Sequence, residues 1–414
     1  RRPAREAPAA ASAAVLADPP AAVIQHPWWL CRVERPGPSS NYLNFCRHLL
    51  RWSGLERRDS HRSTQAGLAN AKPLPRRSLK QMEGKDLSCG ACIVSGMQAG
   101  WKARDLWDLD WFRKNLGARR QLVKWQGPIF TRKEKLWECP IWETSVAEYL
   151  DYIQMLSAVD PSCEERNAAE LPRLYLNGWS AFQQLPWLRE YVVNTRAIGD
   201  ISGDLLAECE ELREGFLQSL TKGYKAPPEE MRMKGIEDDY WDMTKIFIQP
   251  RGAITRLHFD NGGAHGWLSQ VRGRKLHICF SPSDSANLCP FEGDEALPNG
   301  SWIDPLDPDA FERWPDYEKA TPYVGVVDEG ETLVVPQGWW HYTVALDPGI
   351  TVMRNFYDVS NKRELLKRKD EALGDAVGMF VLKQQTKLKN QPDAMLKEIG
   401  RKTVQRIRED MEKQ

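Results

Sequence analysis

Apolar positions along the chain fall into two rhythms. Strand-like runs rich in β-branched, Leu and aromatic residues cover Lys245–Gln249, Leu276–Phe280, Glu331–Pro336 and Ile350–Tyr357, with shorter ones at Cys92–Ser95, Gln121–Trp125 and Pro172–Trp179. Helical spacing predicts a short helix within 41–55, where Leu43, Cys46, Leu49, Leu50 and Trp52 recur. It predicts further helices in Trp101–Leu116, with Asp108 or Asp110 near the cap, in Thr144–Met155 and in Asp204–Leu220. Leu185–Val193 reads as a short helix or extended arm, with Trp187, Leu188 and Tyr191 as core residues. Gly262-Gly263 marks a turn. Thr221–Asp239, with its Pro-Pro, reads as a loop near the mouth of a site. Ser283–Val324, rich in Pro, Asp and Gly, reads as a long loop that shapes substrate entry. The order is strands flanked by helices, a mainly β chain.

Three segments follow. Residues 1–86 form a low-complexity extension, Arg-, Ala- and Pro-rich at its start and too poor in apolar residues for a core, so it is expected to be disordered apart from the helix in 41–55. Residues 87–358 form the folded domain, with its core in 174–358. Residues 359–414 are charged and helical, with Leu365, Leu366, Ala372, Val377, Phe380 and Val381 as the apolar set.

Composition narrows the classes. The 57 basic and 57 acidic residues cancel, so no global field draws in nucleic acid or an anionic membrane. No continuous apolar stretch reaches membrane length, so the chain reads as soluble. Nine scattered Cys argue against a disulfide framework and for a reducing, intracellular compartment, nucleus or cytoplasm. The Arg-rich, acid-poor start keeps organelle targeting open. A first residue of Arg rather than Met is compatible with a piece of a longer protein. Cys89-Gly90-Ala91-Cys92 is the lone CxxC. Without a second pair it reads as two thiols at the start of a buried strand, not as half a zinc site.

Candidate chemistry centres on His258-Phe259-Asp260. In a strand, residues two apart share a face, so His258 and Asp260 can reach one ion while Phe259 packs on the other side. A third ligand has to come from elsewhere, and His341 in Gly338-Trp339-Trp340-His341 follows another strand-like run. Two imidazoles and one carboxylate are the facial set that holds non-haem Fe(II) with open positions. Lys275 stands in the return strand. Arg274 is its rival, but alternation turns only one of the two inward. His265, in the Gly-rich turn, is placed to face substrate. His277 shares the face of Lys275 and is placed to line the pocket. Neither is expected to be a ligand.

These residues resemble the JmjC (jumonji C) family of Fe(II)- and 2-oxoglutarate-dependent oxygenases within the cupin group. The likeness rests on Thr255, His258, Asp260, Trp267 and Lys275, on Gly330-Glu331-Thr332, Val335-Pro336 and Gly338-Trp339-Trp340-His341, and on Asn355-Phe356-Tyr357. Their order is most similar to the small jumonji protein hydroxylases, including the arginine-demethylase/lysyl-hydroxylase type. The resemblance is clear over 174–358 and weaker from Cys92. It implies a double-stranded β-helix, a jelly-roll of the cupin kind, with helices before and after.

The resemblance also implies roles. His258, Asp260 and His341 hold the iron. Lys275 and Thr255 bind the far carboxylate of 2-oxoglutarate, and Asn355 the near one. The reaction hydroxylates or oxidatively demethylates a protein or peptide side chain, with release of succinate and CO2. Related enzymes also use C-terminal helices to form homodimers; the plainer expectation is a helical pair packed on the barrel. Two positions depart from the family: Leu268 replaces a frequent polar co-substrate contact, and Met353 a frequent small polar residue. Both make the pocket more apolar. They keep alive a non-catalytic module that binds metal or a partner. A cupin acting on a small molecule is the other alternative, against which Lys275 and Thr255 argue.

Overall fold

The computed structural model describes residue 68 and residues 71–83, 87–125, 141–158, 173–193, 195–196, 198–220, 236–291, 299–306 and 310–413. The chain divides into two units, 1–36 and 37–414, and every described residue belongs to the second. The helix expected within 41–55 lies outside the described residues, as does most of the N-terminal extension.

Fourteen strands are described: β1 (Lys72–Pro73), β2 (Arg76–Ser78), β3 (Cys92–Ser95), β4 (Arg120–Trp125), β5 (Ile141–Ser145), β6 (Leu174–Trp179), β7 (Thr244–Gln249), β8 (Ile254–His258), β9 (His265–Arg272), β10 (Lys275–Phe280), β11 (Tyr323–Val327), β12 (Glu331–Val335), β13 (Trp340–Ala345) and β14 (Gly349–Phe356). They form two sheets. The smaller runs β1-β11-β10-β13-β8, and the larger β2-β3-β12-β9-β14-β7-β6-β4-β5. From β7 to β14 the chain crosses from one sheet to the other at every step except β10 to β11, which are neighbours in the smaller sheet, and this is the jelly-roll winding of a double-stranded β-helix. The mainly β, cupin-type fold read from the sequence is the fold observed.

Helices cover this core. α1 (Leu109–Leu116) is capped by Asp108, whose carboxylate accepts the Trp111 N–H at 2.6 Å. α2 (Val146–Ala158) lies before β6, and α3 (Ser202–Leu220) and α4 (Ile236–Asp242) before β7. α5 (Lys362–Phe380) and α6 (Asp393–Met411) follow β14. Leu205 and Leu206 of α3 pack with Leu365 and Leu366 of α5 around Tyr357. Gly374, Gly378 and Gly400 let α5 and α6 approach backbone to backbone: a Cβ at Gly378 would lie 2.2 Å from the Leu396 carbonyl.

Two loop expectations are corrected. The loop expected over Thr221–Asp239 gives way to helix at Ile236, and its earlier part lies outside the described residues. Glu237, Asp238 and Asp239 open this helix, where carboxylates suit the positive end of the dipole. Described residues of the long segment before β11 contribute to the core rather than only to a surface loop. Leu288, Ile303, Leu306, Ala310, Tyr317 and Ala320 are buried with Leu257, Ile278 and Trp340. It also covers the open edge of β8: Phe259 N–H donates to the Asn299 carbonyl at 3.0 Å, and Ser301 N–H to the Leu257 carbonyl at 3.0 Å. A covered edge is a fixed edge, and this is the edge that carries His258.

The inner strand β14 is pinned from behind. Arg354 is fully buried and donates to Asp200 Oδ2 at 2.8 Å, Thr244 Oγ1 at 3.0 Å and the Tyr240 carbonyl at 2.5 Å, and it stacks 3.7 Å from the Tyr240 ring centroid. Removing one partner of a buried ion pair strands the other charge and costs about 3–5 kcal/mol, whereas replacing both by apolar groups is often neutral. Asp200→Ala is therefore expected to lower unfolding free energy by about that amount in urea denaturation, and Asp200→Leu with Arg354→Met to restore most of it. Equal losses in the single and double variants would contradict this account.

Candidate metal centre and its cavity

The metal-ligand candidates converge at one end of the barrel. His258 ends β8, and Asp260 follows in extended backbone (φ −71°, ψ 135°), so the two side chains keep to one side. Phe259 points the other way and packs edge-on against Trp340, with centroids 4.9 Å apart. β13 pairs with β8 in a register that sets His341 opposite His258. One ligating atom each from His258, Asp260 and His341 lies within 4.8 Å of the others. Asp260 Oδ1 is 3.8 Å from His258 Nε2 and 3.9 Å from His341 Nε2.

Both imidazoles are held in the ligating tautomer. His258 Nδ1 donates to the Arg256 carbonyl at 2.8 Å, and His341 Nδ1 to the Trp339 carbonyl at 3.3 Å. Each Nε2 is thereby left with its lone pair turned to Asp260, the outer-shell arrangement typical of metal-binding histidines. Burial, then the neighbouring His341, push His258 down to a pKa of about 4. Its ring is therefore neutral at physiological pH, as a ligand has to be. This donor set, two neutral imidazoles and a carboxylate, fits a divalent iron.

The turn after Asp260 is fixed from the C-terminal side. Gly262 and Gly263 have φ of +72° and +64°, a region open to glycine. Tyr357 donates its hydroxyl to the Gly262 carbonyl at 3.0 Å, and Asn361 its amide to the Gly263 carbonyl at 2.8 Å. The segment leading from β14 into α5 is thus part of what holds the carboxylate in place.

A cavity of about 220 Å³ opens beside these residues. That is small beside drug-sized pockets and suits a compact ligand. Thr255, Lys275, Thr343 and Asn355 line it together with the three candidate ligands. Cross-strand register layers the smaller sheet's wall. Cys279, His341 and His258 form one row, His277, Thr343 and Thr255 the next, and Lys275 opposite Ala345 the deepest. Lys275 thus lies four residues, about 13 Å, along β10 from the ligand row.

Lys275 is 1% exposed, and its Nζ donates to the Tyr175 hydroxyl at 2.9 Å. It is in no ion pair among the described residues. Burial lowers its pKa to about 7. Arg274 turns outward to Asp347, Nε to Oδ2 2.6 Å, so alternation selects Lys275. Thr255 bonds the same Tyr175 hydroxyl. A buried amine beside the Tyr175 hydroxyl and the Tyr175 and Phe247 rings, in no ion pair among the described residues, is suited chemically to receive an anion.

Other expected residues land differently. Asn355 lines the cavity, but its amide already donates to Asp260 Oδ2 at 2.9 Å. Leu268 and Met353 line it too. His265 does not face the cavity: it is 3% exposed, its Nδ1 accepts the Gln337 N–H at 2.9 Å and its Nε2 meets Asp358 at 3.3 Å. His265 is the first residue of β9 and not a residue of the turn. His277 faces the same interior as Lys275 but is not among the residues lining the cavity; its Nδ1 is 3.0 Å from the Thr343 hydroxyl. Cys92 is fully buried in β3, its thiol pushed up to about 12 by burial, while Cys89 is half-buried.

Five wall residues escaped the sequence reading: Tyr175, Asn177, Lys245, Phe247 and Thr343. Tyr175 and Asn177, Lys245 and Phe247, and His341 and Thr343 are each two apart on a strand, so alternation in β6, β7 and β13 was the available signal. Lys245 donates to Ser180 Oγ at 2.6 Å and Asp242 Oδ1 at 2.9 Å.

Comparison with known proteins agrees with this architecture. A family described as Cupin-like domain matches residues 92–362, well over half the chain. HSPB1-associated protein 1 of Rattus norvegicus is 33% identical over 132 residues, 31% of this chain and 26% of the relative. JmjC domain-containing protein D of Dictyostelium discoideum is 30% identical over 133 residues, 30% of this chain and 29% of the relative. Lysine-specific demethylase 8 of Xenopus tropicalis is 32% identical over 103 residues, 25% of this chain and 22% of the relative. The matches span about a quarter of the length of these relatives. The chain belongs to the Cupin-like domain family, as a JmjC-type member of the cupin superfamily.

The buried ammonium has a cost that is readable in stability. Lys275 falls from 10.5 to about 7 on folding, a penalty on the order of 3–5 kcal/mol for the charged form. The unfolded chain binds the extra proton between those values, so the penalty is full below pH 7 and fades as pH rises towards 10. Lys275→Met is expected to raise unfolding free energy at pH 6.5 and to lose that advantage by pH 10, measured by urea denaturation. A destabilised variant at pH 6.5 would contradict the reading.

Proposed function

We propose that the chain is an Fe(II)- and 2-oxoglutarate-dependent dioxygenase that hydroxylates, or oxidatively demethylates, a protein side chain with release of succinate and CO2. One observation carries this reading. A single cavity has two imidazoles and a carboxylate at one end and, deeper in, an ammonium with no counter-ion among the described residues. A 2-oxoacid with a distal carboxylate matches both ends. A protein substrate is favoured by the relatives, among which one is named a lysine-specific demethylase.

Within this reading His258, Asp260 and His341 hold iron, which when bound supplies the oxidation of a substrate C–H bond at the expense of O2 and 2-oxoglutarate. The remaining work belongs to the chain. Lys275, with Tyr175 and Thr255, receives the far carboxylate and sets the depth at which the co-substrate sits. An ammonium acts here as a point charge and the hydroxyls as direction-setting donors. Phe247, Leu268 and Met353 exclude water along the opposite wall. The Nδ1 bonds of the two histidines keep their protons off the ligating nitrogens.

Leu268 and Met353 also favour a second reading, a jumonji fold that binds metal or a partner without turnover, since both reduce the polar contacts on offer to a co-substrate. Anaerobic titration with Fe(II) and then 2-oxoglutarate separates the two. The dioxygenase reading expects the visible charge-transfer band of the chelate, absent in His258→Ala and requiring at least tenfold more 2-oxoglutarate (about 1.4 kcal/mol or more) in Lys275→Ala. Fe(II) binding with no band at saturating 2-oxoglutarate would leave the non-catalytic module.

A further inference from the structure

We infer that Asn355 is a positioning residue for Asp260, selecting which carboxylate oxygen a metal meets, and that Gly266 makes this possible. The inference rests on the metal reading above and departs from the role the family resemblance gives Asn355, a contact to the co-substrate's near carboxylate.

The two oxygens of Asp260 occupy different surroundings. Oδ1 faces the ligating nitrogens, 3.8 Å from His258 Nε2 and 3.9 Å from His341 Nε2. Oδ2 is turned away from them and accepts the Asn355 amide at 2.9 Å. The terminal torsion of an aspartate is broad and nearly two-fold. Unheld, the carboxylate would turn freely between one-oxygen and two-oxygen presentation. The amide removes that freedom before any ion arrives, and it can do only this: an NH2 group donates and an ionised carboxylate accepts.

The backbone of β9 closes the other side of Oδ2. Asn355 and Gly266 are direct partners across β14 and β9. A Cβ built on Gly266 would lie 2.8 Å from Asp260 Oδ2 and 3.9 Å from Asn355 Nδ2. Any other residue at 266 has to displace the carboxylate or break its bond. Gly266 is needed here for space. Its φ is not in the left-handed region, unlike those of Gly262 and Gly263. Asn355 itself is held by the preceding residue in the strand, Arg354, whose buried bonds fix β14.

Groups that orient a metal ligand typically change metal affinity by about 10–100-fold when removed. The test uses the full chain, Co(II) as the probe and two variants, Asn355→Ala and Gly266→Ala, with circular dichroism melts to confirm folding. Co(II) affinity is measured first by titration calorimetry, then 2-oxoglutarate affinity at saturating Co(II). The expected result is a Co(II) dissociation constant raised about 10–100-fold in both variants, with 2-oxoglutarate affinity at saturating metal changed less than about threefold. Unchanged Co(II) binding with weakened 2-oxoglutarate binding in Asn355→Ala would overturn the inference and return Asn355 to the co-substrate. Comparable losses in both affinities, or none in either, would also overturn it. If the wild-type chain takes up no Co(II), the metal reading fails and the inference with it.

Discussion

The register that sets His341 opposite His258 is the constraint on which the site depends. The two residues come from strands far apart in sequence, and a slip of one residue would turn either imidazole out of the barrel. Three devices hold that register. On one side β13 pairs with β10 along its whole length. On the other, β8 has its free edge occupied by the Asn299–Ser301 segment. Behind the pair, Phe259 and Trp340 lock edge to face within the buried cluster that includes Leu257 and Ile278. The apolar core and the candidate metal ligands are therefore alternate residues of the same strands, and what stabilises one aligns the other.

The same alternation puts costly groups inside. Lys275, His277, Thr343 and His341 all face the interior of the smaller sheet, where an apolar residue would pack more cheaply. Lys275 bears a burial penalty on its charged form, with a neutral hydroxyl as its hydrogen-bond partner. Folding alone gives no reason for such a residue, whereas an incoming carboxylate does. The rest of the structure offsets the cost with ordinary means: sheets closed on an apolar core, a fully buried Arg354–Asp200 pair behind β14, and the α5–α6 pair packed through glycines.

Much of this was legible in the residues. His258-Phe259-Asp260 carries its own geometry, because a period of two admits one arrangement. The same parity let only one of Arg274 and Lys275 face inward, and the family resemblance chose Lys275. Of the jelly-roll strands, β7, β10, β12 and β14 were marked by their β-branched and aromatic runs, whereas β9, β11 and β13 were not. What was not legible depended on partners distant in sequence. Tyr175 and Phe247 look like any core aromatics until β6 and β7 are set against the cavity. The segment before β11 is rich in Pro, Asp and Gly, yet it buries Leu288, Ile303 and Tyr317, because composition reports local flexibility and says nothing of the surface a loop lies on. His265 was misplaced because the Gly-rich turn before it hid the start of β9. Asn355 was visible as a polar residue on an inward face, but only coordinates could show that its amide meets Asp260.

The most direct test of the account is a crystal structure of the chain grown anaerobically with Mn(II), as a redox-stable stand-in for Fe(II), and 2-oxoglutarate. The account predicts anomalous density between His258 Nε2, His341 Nε2 and Asp260 Oδ1, with the 2-oxoglutarate chain running down the cavity and its far carboxylate on Lys275 and Thr255. Metal at another group of side chains, or 2-oxoglutarate bound away from Lys275, would contradict it.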